Sequence, residues 1–226
     1  MTARYRMTVF DLDGTLIDSR AHILANSRAA FTACGLPPPD PAALLSRVGL
    51  PLADCLVAGY AAVSGHAPAP ELLGRLRAEY LAASRADGWE GIALFPGLRE
   101  LLAQLAGSGT RLAIATSKGR EGTAAILGRL GLAGMFEVVV CHDDGLPTKP
   151  DPAMLWHIAQ RCGVIPRDLV MVGDTSYDLA MGRAAGTDTC GVVWGHHDRA
   201  TLTAESPTYL ALDPAELARA LTRPER

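Results

Sequence analysis

The sequence predicts an α/β protein, a mostly parallel sheet interrupted by an inserted helical segment, and three observations carry that expectation. Five short runs are rich in Val, Ile and Leu without polar alternation: Met7–Phe10, Arg111–Ala115, Glu137–Cys141, Leu169–Val172 and Thr189–Val193. Strands covered on both faces need such continuity, whereas a half-exposed strand alternates. Longer stretches with helical spacing separate the later runs, so successive strands are joined by crossovers and lie parallel. The first two runs are the exception, because residues 11–110 stand between them, far beyond the dozen or so residues an ordinary crossover uses.

The elements follow in order. Met7–Phe10 is the first strand. Residues 17–94 are rich in Ala and Leu, carry the helical spacing Leu72, Leu73, Leu76, Tyr80, and are punctuated by Gly35-Leu36-Pro37-Pro38-Pro39 and by Gly65 to Pro70. They read as a helical domain embedded in a core made of residues 1–16 and 95–226. Pro96-Gly97 opens a helix over Leu98 to Ala106, which Gly107 and Gly109 close. Asp151-Pro152 opens another over Ala153 to Arg161, which stops before Gly163. The chain shows no internal repeat.

Composition narrows the function. The chain has 226 residues, 49% hydrophobic and 20% charged, with a net charge of -3. That balance suits a globular protein and offers nucleic acid or an anionic membrane no global attraction. The five cysteines are scattered and never form CxxC, so neither a disulfide framework nor a zinc site is expected, and reduced thiols in a cytoplasmic protein fit best. The N-terminus lacks the pattern of a secretory signal, and no window reaches the roughly 20 apolar residues of a membrane helix. The expected partner is a small molecule, with the protein a monomer or homodimer. Of 21 basic residues only Lys118 and Lys149 are lysines.

Three strand ends and one loop carry chemistry. Asp11 and Asp13 follow the first strand within Phe10-Asp11-Leu12-Asp13-Gly14-Thr15-Leu16, at the carboxyl edge where open α/β sheets bind ligands. Two anions so close need a cation between them or a shared proton, though acidic turn residues before a glycine are also common. Asp174 and Asp178 occupy the equivalent place after Leu169–Val172, and Asp178 equally suits a helix cap. Carboxylates on two strand tips, without His or Cys, favour a hard cation such as Mg2+. Thr116 and Ser117 end a third strand, where hydroxyls and free amides can hold phosphate oxygens or cap the next helix. Lys149 sits in Leu146-Pro147-Thr148-Lys149-Pro150-Asp151-Pro152, a loop stiffened by prolines and suited to aiming a cation.

Together, DLDGTLIDS, ATSK, TKPDP and GDTSYD, in that order, resemble the four motifs of the haloacid dehalogenase-like hydrolase superfamily, and residues 17–94 resemble its cap domain. The resemblance spans nearly the whole chain and implies a Rossmann-like core. It further implies that Asp11 is a nucleophile forming an aspartyl-phosphate, that Asp13 is the acid and base, and that Mg2+ is held by the Asp11 and Asp174 carboxylates and the Asp13 main-chain carbonyl. Thr116, the Ser117 amide and Lys149 would bind the transferring oxygens, with Asp178 behind the metal ligands. Keeping Lys at 149 in an Arg-rich chain suggests a need for a compact ammonium.

The family also bounds the substrate. Dehalogenases lack a carboxylate matching Asp13, and capped hexose-phosphate mutases carry a cap histidine where Ile23 stands here, with His22 adjacent. Ser46-Arg47-Val48-Gly49-Leu50-Pro51-Leu52 resembles the cap loop that reaches the leaving group, making Arg47 and Gly49 candidate substrate contacts, with Arg47 equally a helix-end surface charge. Met181 to Gly186 and Thr187 to His197 resemble the phosphoglycolate phosphatase branch; within them Trp194 reads as a strand-end core residue and His196 and His197 as solvated. The implied activity is hydrolysis of a small phosphate monoester, 2-phosphoglycolate first, with a sugar-phosphate mutase or pyrophosphatase behind it and a non-catalytic binding module last.

Overall fold

The computed structural model describes residues 2–223. In chain order, β1 (Thr2–Ala3), β2 (Met7–Phe10) and β3 (Ile17–Asp18) precede helices α1 (Arg20–Ala33), α2 (Pro41–Leu45), α3 (Leu52–Ser64) and α4 (Pro70–Ala86), which end at β4 (Ala93–Leu94). The remainder alternates as α5 (Leu98–Gly107), β5 (Arg111–Ala115), α6 (Arg120–Arg129), β6 (Val138–Val140), α7 (Ala153–Cys162), β7 (Leu169–Gly173) and α8 (Ser176–Ala185). It closes with β8 (Asp188–Val192), α9 (Arg199–Ala204), β9 (Tyr209–Ala211), α10 (Pro214–Leu221) and β10 (Thr222–Arg223).

A six-stranded sheet in the order β6-β5-β2-β7-β8-β9 forms the centre, and each of its pairs is parallel. The chain builds outward from β2 through β5 to β6, then returns to β7 on the other side. The carboxyl ends of β2, β5 and β7 therefore flank the switch point where such sheets open a crevice. Side chains of β2 alternate between two cores: Phe10 joins the cluster under α5 and α10, while Met7 and Val9 join the cluster under α7. Cover on both faces explains the unbroken apolar runs. On α5 the stripe Leu98, Leu101, Leu102, Leu105 is buried, each side chain worth about 1.5–3 kcal/mol of transfer free energy.

Differences from the sequence expectation have local causes. The run Glu137–Cys141 is a strand only over Val138–Val140; at its end the Cys141 N–H turns to Asp144 Oδ2 at 2.9 Å instead of to a neighbouring strand. The edge strand β9 is three residues long and follows a polar stretch, too short for a readable period. Residues 17–94 begin and end not in helix but in the antiparallel ribbon of β3 and β4, pairing Ile17 with Leu94 and Asp18 with Ala93. Between these strands the helices have their own small cores, one around Phe31, Leu56, Leu76 and Tyr80 and one around Ile23, Leu44, Val48 and Cys55. The core range assigned from sequence includes residues 1 and 224–226, which lie outside the described residues. Among the described residues no helix is long and apolar enough to cross a membrane.

Candidate active site

Asp11 leaves β2 while still in the ladder, its N–H donating to Val172 O at 2.9 Å, so the register of β2 against β7 sets its position. The chain then turns through Gly14, whose φ of +88° disfavours a side chain. Space demands glycine as well, since a Cβ there would lie 2.2 Å from Asp174 Oδ2. A Cβ on Gly195 would come equally close, so the Asp174 carboxylate is gripped between two glycines. Thr15 Oγ1 donates to Asp174 Oδ1 at 2.8 Å and the His196 N–H donates to Oδ2 at 2.7 Å.

Thr175 caps α8, and Asp178 completes a capping box by accepting from the Thr175 N–H at 3.1 Å and Oγ1 at 2.7 Å. Asp178 is thus the helix cap that the sequence allowed, and its other oxygen accepts from Lys149. The Lys149 ammonium, only 1% exposed, donates to Asp11 Oδ1 at 2.5 Å and Asp178 Oδ1 at 2.6 Å. Carboxylate oxygens of Asp11, Asp174 and Asp178 lie within 4.8 Å of one another.

Three buried carboxylates face one ammonium, and the electrostatics follow. Burial, then repulsion from Asp178 and Asp174, pushes the Asp11 carboxyl well above its ordinary range, although Lys149 pulls it down. Burial and Asp178 push Asp174 up to about 7. Burial opposes the charge on Lys149, but Asp11 and Asp178 outweigh it and raise its pKa. The cluster is thus short of positive charge. Asp11 Oδ2 is buried without a hydrogen-bond partner. A hard divalent cation fits this set of oxygens and that orphaned atom.

Asp13 is held differently. Lys118 Nζ stands 3.1 Å from both of its oxygens, and although burial pushes the Asp13 carboxyl up, the Lys118 charge prevails and lowers it. Thr116 is buried and its Oγ1 accepts from the Lys118 N–H at 3.1 Å. Ser117 Oγ donates to Gly49 O at 2.6 Å, tying the loop of the insertion to the end of β5. A cavity of about 210 Å³ is lined by Asp11, Asp13, Thr116, Ser117 and Lys118 from the sheet edge and by Gly49, among others, from the insertion.

The structure therefore brings Asp11, Asp174, Asp178 and Lys149 into one cluster, and places Asp13, Thr116, Ser117 and Gly49 around the adjoining cavity. Arg47 is exposed and does not line the cavity; its neighbour Val48 does. Sequence reasoning gave Lys118 no role, although its rarity beside a strand end was a usable signal. It also took His196 and His197 as solvated. Instead the His196 backbone holds Asp174, and burial lowers the His196 ring pKa to about 4. His197 Nδ1 accepts from the Ser176 N–H at 3.0 Å at the start of α8. Trp194 is partly buried against the core, with Nε1 donating to Thr15 O at 3.0 Å.

Fold and site define the class: a parallel α/β protein with an acidic, lysine-countered centre at the switch point of its sheet and a helical insertion over the same edge. The chain belongs to the haloacid dehalogenase-like hydrolase family, whose model matches residues 8–192. It is 37% identical to the tyrosine-protein kinase PtkA of Mycobacterium tuberculosis over 84% of its own length and 63% of PtkA's, so it spans less than two thirds of that relative. It is 33% identical to the phosphoglycolate phosphatase of Chromobacterium violaceum, covering 88% of this chain and 90% of that one. Among solved structures, a hydrolase from Pseudomonas syringae superposes with a TM-score of 0.81 at 25% identity, covering 95% and 96% of the two chains. A haloacid dehalogenase-like hydrolase from Streptococcus pneumoniae, at 24% identity and TM-score 0.83 over 96% and 98%, shares the fold.

Proposed function

We propose that the chain is a Mg2+-dependent phosphatase that hydrolyses a small phosphate monoester through an aspartyl-phosphate on Asp11, with 2-phosphoglycolate the first substrate to test. One observation carries this reading. Lys149 fixes one oxygen of Asp11, the other, Oδ2, is left without a partner, and Asp11 itself lines a cavity. The Asp11 and Asp174 carboxylates and the Asp13 carbonyl would hold Mg2+, which when bound supplies positive charge against the carboxylates and the phosphate oxygens.

The residues divide the work. Thr116, the Ser117 amide and Lys149 hold the transferring oxygens, and such preset donors are the main protein contribution in phosphoryl transfer. Asp11 Oδ2 attacks phosphorus, and Asp13, which must carry a proton against the pull of the Lys118 charge beside it, gives that proton to the departing oxygen. Asp13 then takes a proton from the water that attacks the aspartyl-phosphate. Residues 17–94 act as a cap that excludes bulk water, seated on the core through Gly49 and Ser117. The five free cysteines suit a reducing cytoplasm.

The likeness to PtkA favours one second reading, in which an acceptor other than water takes the phosphoryl group. Phosphate release from 2-phosphoglycolate and a panel of small phosphate esters, with and without Mg2+, tests the first reading on wild type and Asp11→Asn. Mg2+-dependent release that Asp11→Asn abolishes supports it. Ester consumed without stoichiometric phosphate favours transfer, and no consumption of any ester sinks both.

A further inference from the structure

The insertion supplies the part of the cavity that a phosphate group does not need. Val48, Leu50, Leu52, Tyr80, Leu81 and Trp89 line it, and Leu81 is 38% exposed there, an apolar side chain in a cleft rather than in a core. Trp89 is one of two non-glycine residues with positive φ among those described, at +56°. A bulky side chain in that region is strained, and such strain persists at ligand clamps when surrounding bonds enforce it. Here they do: the Trp89 N–H donates to Asp87 Oδ1 at 2.9 Å and to Ser84 O at 3.2 Å. Gly122 on α6 leaves room for the indole, whose Nε1 would lie 3.2 Å from a Cβ at that position.

Charge on the wall is equally selective. Glu121 is engaged by Arg85, Asp143 accepts from the Arg120 N–H, and Lys118 is engaged by Asp13. Arg77 of α4, exposed and lining the same cavity, has no hydrogen-bond or ion-pair partner among the described residues. An unpaired guanidinium and a strained aromatic residue lining one cavity are equipped to read a planar apolar body that ends in an anion. The cavity, about 210 Å³, exceeds the roughly 150 Å³ that holds a benzene ring in an apolar protein cavity.

We propose that the substrate is a phosphorylated carboxylic acid whose carboxylate is separated from the ester oxygen by an apolar, aromatic-sized spacer, with Trp89 packing the spacer and Arg77 pairing with the carboxylate. This rests on the phosphatase reading and refines it: 2-phosphoglycolate carries the same two anionic groups but only one methylene between them, with no apolar body to meet the wall.

Non-hydrolysable phosphonates test this without interference from leaving-group reactivity. Calorimetric titration of the whole protein with Mg2+ compares 3-phosphonopropionate, benzylphosphonate and 4-carboxybenzylphosphonate. The last is expected to bind about tenfold more tightly than either of the others. In Arg77→Met its advantage over benzylphosphonate should fall to within twofold, and Arg77→Lys should restore part of it. In Trp89→Gly, which relieves the strained φ, both benzyl compounds should weaken toward 3-phosphonopropionate. If 3-phosphonopropionate binds as tightly as the carboxybenzyl compound, or Arg77→Met leaves the carboxylate advantage intact, the inference is overturned. Failure of the phosphatase reading would appear elsewhere, as binding in this order without phosphate release from any ester.

Discussion

The acidic floor at the ends of β2 and β7 and the wall contributed by residues 17–94 differ in how firmly each side chain is held. On the floor Asp11, Asp174, Asp178 and Lys149 are at most 2% exposed, and hydrogen bonds from two strand ends, a helix cap and a distant loop converge on them. On the wall Leu81 and Arg77 are exposed, and the polar links to the core are separate pairs such as Ser117 to Gly49, Arg85 to Glu121, Arg129 to Ile92 O and Arg20 to Gly195 O at 3.2 Å. Preorganised charge needs a rigid support, while a wall that admits and releases ligand needs a weaker one. Substitutions on the two sides should therefore differ in kind, with floor changes moving stability and chemistry together and wall changes moving selectivity.

The largest effect is expected at Lys149. Lys149→Met leaves Asp11 and Asp178 buried without their cation, and breaking a buried pair by removing one partner costs about 3–5 kcal/mol. For a chain of this size that lowers Tm by roughly 10 °C, and phosphate release should be lost with it. Lys149→Arg should also be strongly impaired, because a planar fork does not fit a site closed around a single nitrogen. Near-normal activity of that variant would show that the floor tolerates more than its packing indicates.

Asp11→Asn also moves both, but in opposite directions. Its oxygen can still accept from Lys149, and its amide replaces the partnerless Oδ2, so activity should fall by at least about 10³-fold while the metal-free protein becomes more stable. The sign with pH follows from linkage. Asp11 has a folded pKa above its ordinary 3.8, so its contribution is complete below that pH and is lost as pH rises through the folded value. Asparagine has no such loss, and its Tm advantage in EDTA should widen as pH rises above about 4, where the wild-type carboxyl begins to cost stability. Thermal melts across pH 4–8 check this; an advantage that shrank with pH would contradict the charge shortage inferred for the floor.

Lys118 lies where floor and wall meet, bonded to Asp13 and lining the cavity. Lys118→Met should lower kcat/KM for the ester by about 10–100-fold through a misplaced Asp13, with Lys118→Arg recovering part of the loss. Steady-state kinetics on both variants decide it. A loss of kcat/KM carried wholly by a raised KM, with kcat unchanged, would assign Lys118 to ligand binding alone.

What could be read from the sequence follows the same division. Met7–Phe10 and Arg111–Ala115 are strands over the predicted residues because strands buried on both faces write an unbroken apolar run. Asp11, Asp174 and Lys149 stand in ordered motifs beside such runs. Contacts made by backbone groups or across long separations left no comparable trace. The His196 N–H that holds Asp174 has no side-chain signature, and Lys118 meets Asp13 across 105 residues. In α1 the buried residues include His22, Asn26 and Ser27, so no apolar stripe announces its inner face. Arg77 is one arginine among several on α4, and only its place on the cavity singles it out.

The smallest effect is expected at the link between α4 and α6. Arg85 donates to Glu121 at 2.7 and 2.6 Å, a well-formed fork, yet both side chains are more than half exposed. Water and salt screen such a pair, so its geometry overstates its strength. Glu121→Gln should leave Tm within about 2 °C of wild type and phosphate release within about twofold at 0.15 M salt. The wall would then be seated by Ser117 and Gly49 and by apolar contact. A change in kcat above about fivefold with Tm unmoved would instead make the exposed pair the latch that sets how fast the wall opens, and floor and wall would be more alike in rigidity than their burial indicates.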